Sequence, residues 1–451
     1  MLQRCAIVDN LRLCRVYASR RNYKERSWLF RTLKCLFSSL IVFLYIFEFP
    51  TEQWGLPSFI TSRRIAVLVL TLLVFVPLLF SRSKSVKAYT NVLASVYFNR
   101  FIVLVLFLFF YTFFLYIAIG GTGNMVYEDI IKFLIFGLAP VFLFANYFTD
   151  LDECMDCILI AILIQSLIIC LCLADSSFAS SVDELFVAPE AREYITMHRV
   201  QYAGGISCIT APGLFKFSLG LIACSYKIMK TKRSVFVALY LYLSLIATMI
   251  SRTGLFVSIA GLVVIIAFFI HKNNIAWLLK TLIAFVSLFL LGFLLLKILD
   301  LSGFIALRLI RFEKLRNGLK TGFFDGYFYG EDNSYPPLDI RTIIGTGVVS
   351  GESSNGVVIN ADGGFYRLFA AFGLPLCILF YCFFFYMVFK LSISARSFVT
   401  KYTFFFFSLV FLMGEFKEYT IFKEYMVCFF FVMCFLDGKK TLIKKSSYEN
   451  I

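Results

Sequence analysis

A few charged side chains stand at the ends of long apolar runs, where their types suit phosphate chemistry. Arg199 lies in MHRVQYAGG, Arg252 lies in the short break SRTG, and Asp362 lies five residues before Arg367 in NADGGFYRLFAAFG. Placing a charged side chain at the edge of an apolar span costs free energy, so such residues are candidates for a functional role. Cations offset the charge of a leaving phosphate, and a carboxylate accepts the proton of an attacking hydroxyl. The group therefore predicts transfer from a lipid pyrophosphate donor, with Asp362 as the base.

Two more cations complete the predicted pyrophosphate-binding set: Arg341, shortly before IIGTG, and Lys417, in GEFKEYTIFKEY. Structural interpretations stay open for two of the candidates. The break that contains Arg252 is very short, so an alternative role of its side chain is to extend (snorkel) to the membrane interface. Asp362 precedes two glycines at the start of an apolar run, so it also suits a helix N-cap.

The composition excludes a soluble enzyme. Hydrophobic residues make up 60% of the 451 residues and charged residues only 16%, whereas soluble domains are roughly 45–50% apolar and about 25% charged. Mean hydropathy is +0.84. The net charge of +15 therefore belongs to loops, where it orients the chain in a membrane, and it does not indicate a nucleic-acid partner.

The cysteines and histidines give no sign of a metal centre. Most of the 13 cysteines lie inside apolar runs, where Cys behaves as a small hydrophobic residue. The two histidines, His198 and His271, stand far apart in the sequence. We therefore expect neither a metal nor another cofactor.

Apolar runs of spanning length predict an all-α, polytopic membrane protein with about twelve helices. The whole chain, 1–451, forms one membrane domain with a basic segment at 1–29 and a tail at 437–451. The predicted spans lie near 30–49, 62–80, 99–119, 130–149, 157–174, 211–229, 234–250, 253–270, 275–299, 363–389, 398–413 and 420–436.

The distribution of Lys and Arg orients these spans. Basic residues concentrate in one set of short loops, as they do on the cytoplasmic side of membranes, so both termini are predicted to lie inside. One inner loop is acidic and departs from this pattern, with Asp150, Asp152, Glu153 and Asp156. The rule counts Lys and Arg and gives acidic residues little weight. The segments 175–210 and 300–362 then face the periplasm and are longer than a connection requires, which is typical of functional loops.

Several motifs resemble the O-antigen polymerases (Wzy), which are related to the O-antigen ligases. The similarity lies in HRVQYAGGISCITAPG, SRTGLF, IIGTG, DGGFYRLFAAFGLPLCILFY and FKEY, and it covers the order of nearly all the spans and both long loops. It implies a GT-C-like, metal-independent glycosyltransferase of the Gram-negative inner membrane. Such an enzyme joins oligosaccharide units carried on undecaprenyl pyrophosphate, with a chain-length regulator and the repeat-unit flippase as further expected partners.

The resemblance also assigns residues. Arg199 and Arg252 fall where the family has pyrophosphate-binding arginines, and Lys417 matches a lysine near the last outer loop. Asp362 falls where the ligases have a histidine regarded as the base, and this departure favours a polymerase over a ligase. If Asp362 is only a cap, the base becomes one of the other outer carboxylates: Glu352, Glu415 or Glu418.

Two alternative functions remain. A ligase would share the fold and use a different acceptor. A lipid-linked sugar flippase or polysaccharide exporter would be expected to place charges along a central cavity, whereas the charges here collect at outer ends.

The predicted topology can be tested with reporter fusions. Fusions within 175–210 and 300–362 should report a periplasmic location, and fusions at both termini a cytoplasmic one, because of the Lys and Arg bias. A cytoplasmic signal from a fusion near residue 330 would contradict the assignment of the site to the outer face.

Overall fold

A computed structural model describes most of the apolar part of the chain. The described residues are 32–57, 59–80, 92–119, 124–187, 206, 210–274, 276–279, 282–283, 286, 340–352, 358–359, 363–417 and 419–437. The predicted span at 275–299, and most of the predicted loop at 300–362, therefore lie outside the described residues.

The described part of the chain is mostly helical, as its composition predicts. Its helices are α1 (Thr32–Ile46), α2 (Ser62–Phe80), α3 (Val92–Ile119), α4 (Val126–Phe133), α5 (Ala139–Tyr147), α6 (Leu151–Ala174), α7 (Ser176–Phe186), α8 (Thr210–Thr231), α9 (Ser234–Ile250), α10 (Arg252–His271), α11 (Ile340–Ile344), α12 (Gly364–Phe372), α13 (Leu374–Ser394), α14 (Phe398–Lys417) and α15 (Glu424–Asp437). A π-helical turn, Leu134–Leu138, joins α4 to α5.

Six helical segments within the described residues are long and apolar enough to cross a membrane: Ala94–Ala118, Val126–Tyr147, Leu151–Ala174, Thr253–His271, Leu374–Ser394 and Phe398–Phe416. Such segments cross a bilayer as helices because a helix satisfies all of its own backbone hydrogen bonds. The chain is therefore a polytopic helical membrane protein.

Helix α15 occupies the centre of the bundle. Every residue from Tyr425 to Leu436 is buried, and the helix packs against α3, α5, α6, α8 and α14. A helix that is apolar on all sides must be surrounded by protein or lipid. Here the surrounding helices cover it, so α15 organises the core.

Lysine–carboxylate pairs tie the helices together at one end of the bundle, which we call the basic end. Lys34 of α1 lies 2.6 Å from Glu153, Lys227 of α8 lies 2.6 Å from Asp156, and Lys230 pairs with Asp152. The acidic loop that departs from the charge rule is thus largely paired with lysines of neighbouring helices.

The opposite end, the loop end, gathers the connections between α1 and α2, α3 and α4, and α14 and α15. It carries a short antiparallel sheet that the all-α prediction does not include: β1 (Asn124–Met125), β2 (Val348–Glu352) and β3 (Val358–Ile359), in that order. The segments are too short to show the alternating pattern from which strands are recognised.

The predicted span at 363–389 is two helices, because the chain turns at Gly373 between α12 and α13. Gly373 has φ 77°, and a Cβ there would lie 2.1 Å from the Ile343 carbonyl oxygen. Glycine is favoured at such a positive φ and close approach.

The GTG motif closes the C-terminal end of α12. The amides of Thr346 and Gly347 donate to the carbonyls of Ala370 and Ala371 over 2.8 and 3.0 Å. The last carbonyls of a helix lack partners within the helix, so the motif supplies the missing donors.

Replacing Gly373 by alanine should destabilise the protein far more than the same change at Gly55. Both residues have positive φ, but a Cβ at Gly55 would have no heavy atom within 4 Å, whereas at Gly373 it would collide with backbone. We expect Gly55→Ala to cost about 1–2 kcal/mol and Gly373→Ala about 1–3 kcal/mol more, seen as a lower melting temperature in detergent. Equal losses would show that the Gly373 contact is not tight.

Candidate functional site

The predicted site residues are described to different extents. Arg199 and Asp362 lie outside the described residues. Arg252 and Lys417 are described as the first residue of α10 and the last of α14, without their side chains. Arg341 and Arg367 are described in full and are partly buried.

The SRTG break is a tight connection between two helices. Ser251 caps α10, its hydroxyl accepting from the Thr253 amide over 3.3 Å. A Cβ at Gly254 would lie 2.1 Å from the Ala247 carbonyl oxygen of α9. Ser251 and Gly254 therefore have structural reasons to be present, and neither of these contacts involves the Arg252 side chain.

The start of α12 lies against the end of α14. A Cβ at Gly363 would lie 3.2 Å from the Phe416 carbonyl oxygen and 3.8 Å from that of Glu415. The Phe365 ring packs on the Phe416 ring with centroids 5.1 Å apart. Gly363, which directly follows Asp362 in the chain, therefore lies beside the end of α14.

Arg341 lies towards the other end of α12. Its carbonyl accepts the Gly345 amide over 2.8 Å, and Gly345 packs against the Ala371 carbonyl. Helix α12 has 9 residues and is therefore roughly 13 Å long. The backbone of Arg341 is thus separated from that of Gly363 by about the length of α12.

The connection between α14 and α15 is buried inside the bundle. Tyr419, Thr420, Ile421 and Phe422 are all buried, and α15 has only 14 residues, about 21 Å, against a hydrocarbon core of about 30 Å. Non-helical backbone at membrane depth is tolerated only where protein surrounds it and its polar groups are satisfied. This segment therefore needs internal hydrogen-bond acceptors.

Glu415 provides those acceptors. Its Oε1 accepts from the backbone amides of Thr420 and Ile421, over 2.7 and 2.5 Å. Its Oε2 accepts from the Tyr381 hydroxyl over 2.6 Å. The carboxylate is fully buried, so Glu415 acts as a clamp on the α14–α15 connection.

Arg367 joins this connection from α12. Burial raises the pKa of the Tyr419 phenol well above its ordinary value, the carboxylates of Asp129 and Glu415 act in the same direction, and Arg367 acts in the opposite one. Among the cations of the predicted set, Arg367 has the clearest described link to the α14–α15 connection.

Sequence reasoning missed a buried charge cluster beside this connection. Arg63 is only 5% exposed, and its Nη1 lies 2.8 Å from Glu48 Oε2 and 3.0 Å from Glu424 Oε2. Its Nε donates to the Tyr45 carbonyl over 3.1 Å. The pairing holds the α1–α2 hairpin against the start of α15. The available signal was the position of all three charges at span ends.

The prediction that the chain has no metal site did not take one pair of cysteines into account. Cys154 and Cys157 form a CxxC sequence at the start of α6, and both are buried in the core. No group of three candidate metal ligands occurs within the described part of the chain.

The fold and this site define a polytopic helical membrane protein with ionisable side chains at both ends of the bundle. Comparisons with protein-family models, curated proteins and solved structures found no match.

The clamp predicts a strong difference between two substitutions of Glu415. Glu415→Gln keeps an oxygen that accepts from both amides and should change the unfolding free energy by about 1 kcal/mol or less. Glu415→Ala leaves two buried amides without an acceptor, at about 1–3 kcal/mol each. Thermal unfolding in detergent measures both, and an alanine variant as stable as the glutamine variant would contradict the clamp.

Proposed function

We propose that the protein is an O-antigen polymerase, a GT-C-like glycosyltransferase with about twelve spans in the bacterial inner membrane. It joins oligosaccharide units carried on undecaprenyl pyrophosphate, with its site facing the periplasm. The observation that supports the proposal is the contact of Gly363, which follows Asp362 in the chain, with the end of α14, which finishes at Lys417. Arg367 lies on the same short helix, α12.

In the proposed reaction, a hydroxyl of the incoming unit attacks the anomeric carbon of the growing chain. A new glycosidic C–O bond forms, the bond from that carbon to the pyrophosphate oxygen breaks, and the hydroxyl proton passes to Asp362. Arg199, Arg252, Arg341, Arg367 and Lys417 bind the pyrophosphate and offset its charge as it leaves. Arginine suits this role because its planar fork binds phosphate in a bidentate manner.

The centre of the bundle favours an enzyme over a flippase or exporter. A passage for a sugar chain needs polar groups across the membrane, whereas α15 runs through the core with only apolar and sulfur-containing residues and one tyrosine between Tyr425 and Leu436. The ionisable residues described above lie instead at the two ends of the helices. This distribution supports chemistry at one membrane face.

The lipopolysaccharide of a deletion strain tests the proposal. Without a polymerase, the lipid A core should carry a single repeat unit, because the ligase still transfers unpolymerised units. A bare core would instead indicate a ligase or a flippase. Electrophoresis of whole lipopolysaccharide distinguishes these outcomes.

Complementation of that strain then tests Asp362. Asparagine remains a good N-cap but cannot accept a proton, so Asp362→Asn should reach the membrane at normal levels and yield only single-repeat lipopolysaccharide. Glu415→Gln is the matched control, because it neutralises a carboxylate to which we assign a structural role, and it should restore long chains. Long chains from Asp362→Asn would return that residue to a capping role.

A further inference from the structure

Helix α7 begins where a membrane-spanning helix ends. The last charged residue of α6 is Asp156, and the uncharged stretch 157–174 that follows it is about 27 Å long, close to the hydrocarbon thickness of about 30 Å. Asp175 then leaves helical geometry with φ −133°, and its carboxylate accepts from the Ser177 amide over 2.8 Å as the N-cap of α7. The start of α7 therefore lies near the membrane surface at the loop end.

The connection between α1 and α2 holds the other end of α7. The Trp54 indole donates to the Leu185 carbonyl over 3.2 Å. The Phe186 ring packs on the rings of Phe49 and Trp54, with centroids 5.0 and 5.7 Å apart. Because α7 is held at both ends, its orientation about its own axis is fixed.

The residues of α7 divide into three faces, since each residue turns the helix by about 100°. One face is buried: Ala179, Val182 and Asp183. A second face is exposed and polar: Ser177, Ser180, Ser181 and Glu184. Between these two faces lies an edge with Phe178 and Leu185, which are apolar and yet 36% and 47% exposed. These two residues are about two turns apart on one line along the helix.

This order of faces is typical of a helix that lies on a bilayer surface. Such a helix turns an apolar surface to the lipid and a polar surface to water, and here the bundle covers the third face. The exposed apolar surface of the preceding span, with Ile164, Leu167 and Leu171 of α6, leads along the chain to the apolar edge of α7. Trp54 is 46% exposed beside this edge, and tryptophan is enriched at the membrane interface.

We propose that the apolar edge of α7 and the Trp54 ring dock on the phospholipid bilayer, about 5–10 Å into the boundary between headgroups and acyl chains. The partner of this surface is lipid and not a second protein. The contact requires only that the chain spans a membrane, and it is independent of the reaction proposed above. It holds the start of the 175–210 segment in the plane of the lipid headgroups.

Tryptophan fluorescence in phosphatidylcholine nanodiscs tests this contact. In a chain whose three tryptophans, Trp28, Trp54 and Trp277, are replaced by phenylalanine, Phe178→Trp places a probe on the apolar edge. Ser180→Trp places a matched probe about 200° around the helix, on the polar face. We expect lipids spin-labelled near the headgroup to quench the Phe178→Trp probe, and iodide in the water to quench it at least about twofold less than the Ser180→Trp probe, because the edge lies below the headgroups.

A chain that keeps only the native Trp54 provides a second probe, because no residue of the contact is then changed. Labels near the headgroup should quench it as well. Equal quenching of the two α7 probes by iodide would show that the edge faces water, and quenching of Phe178→Trp by neither reagent would show that protein covers it. Quenching that is strongest from labels at the ends of the acyl chains would place α7 within the hydrocarbon core. Each of these results overturns the inference, and so does a Trp54 that only iodide quenches.

Discussion

The buried carboxylate of Glu415 is the interaction on which the loop end depends. The chain between α14 and α15 leaves helical geometry inside the bundle, where water cannot satisfy its amides. By accepting from Thr420 and Ile421 on one oxygen and from Tyr381 on the other, Glu415 makes this path possible. It also fixes where α15 begins and where Tyr419 stands, so the core helix and the candidate site share one support.

A second clamp acts on α12. Its C-terminal carbonyls receive the amides of the GTG motif, and its N-terminal end lies against the end of α14. The two clamps fix a short helix of 9 residues at both ends, although it lies outside the spanning segments. Arg367, a cation at a predicted loop-to-span junction, lies on that helix and is therefore held at a fixed place in the fold.

The two ends of the bundle use charge differently. At the basic end, lysines of α1 and α8 pair with carboxylates of α6. The pairs of Lys34 and Lys230 are partly exposed, and exposed pairs of this kind add little stability, whereas Lys227 is itself buried. At the loop end, Arg63 is almost fully buried between Glu48 and Glu424, and removing one partner of such a group is strongly destabilising. The loop end is therefore the end at which charge and packing constrain each other.

The sequence by itself determined the class of structure, because length and apolarity are sufficient conditions for membrane helices. Most predicted spans coincide with helices, and those at 62–80 and 234–250 have the same bounds as α2 and α9. It also identified the GTG motif, the SRTG break and the α14–α15 connection as places of interest. The sequence did not reveal the structural roles of these three segments, because capping a helix and binding a ligand require similar residues.

Only the tertiary structure decided which charges meet. Nothing in the sequence indicated that one oxygen of Glu415 would accept from two backbone amides and the other from Tyr381. Nor did it show that Arg63 would lie between Glu48 and Glu424. The sequence did not predict the break between α12 and α13 at Gly373, because this residue lies within a continuous apolar run. A positive φ does not change the hydropathy from which spans are predicted. Contacts between residues distant in the chain depend on how helices pack, and no local pattern encodes that arrangement.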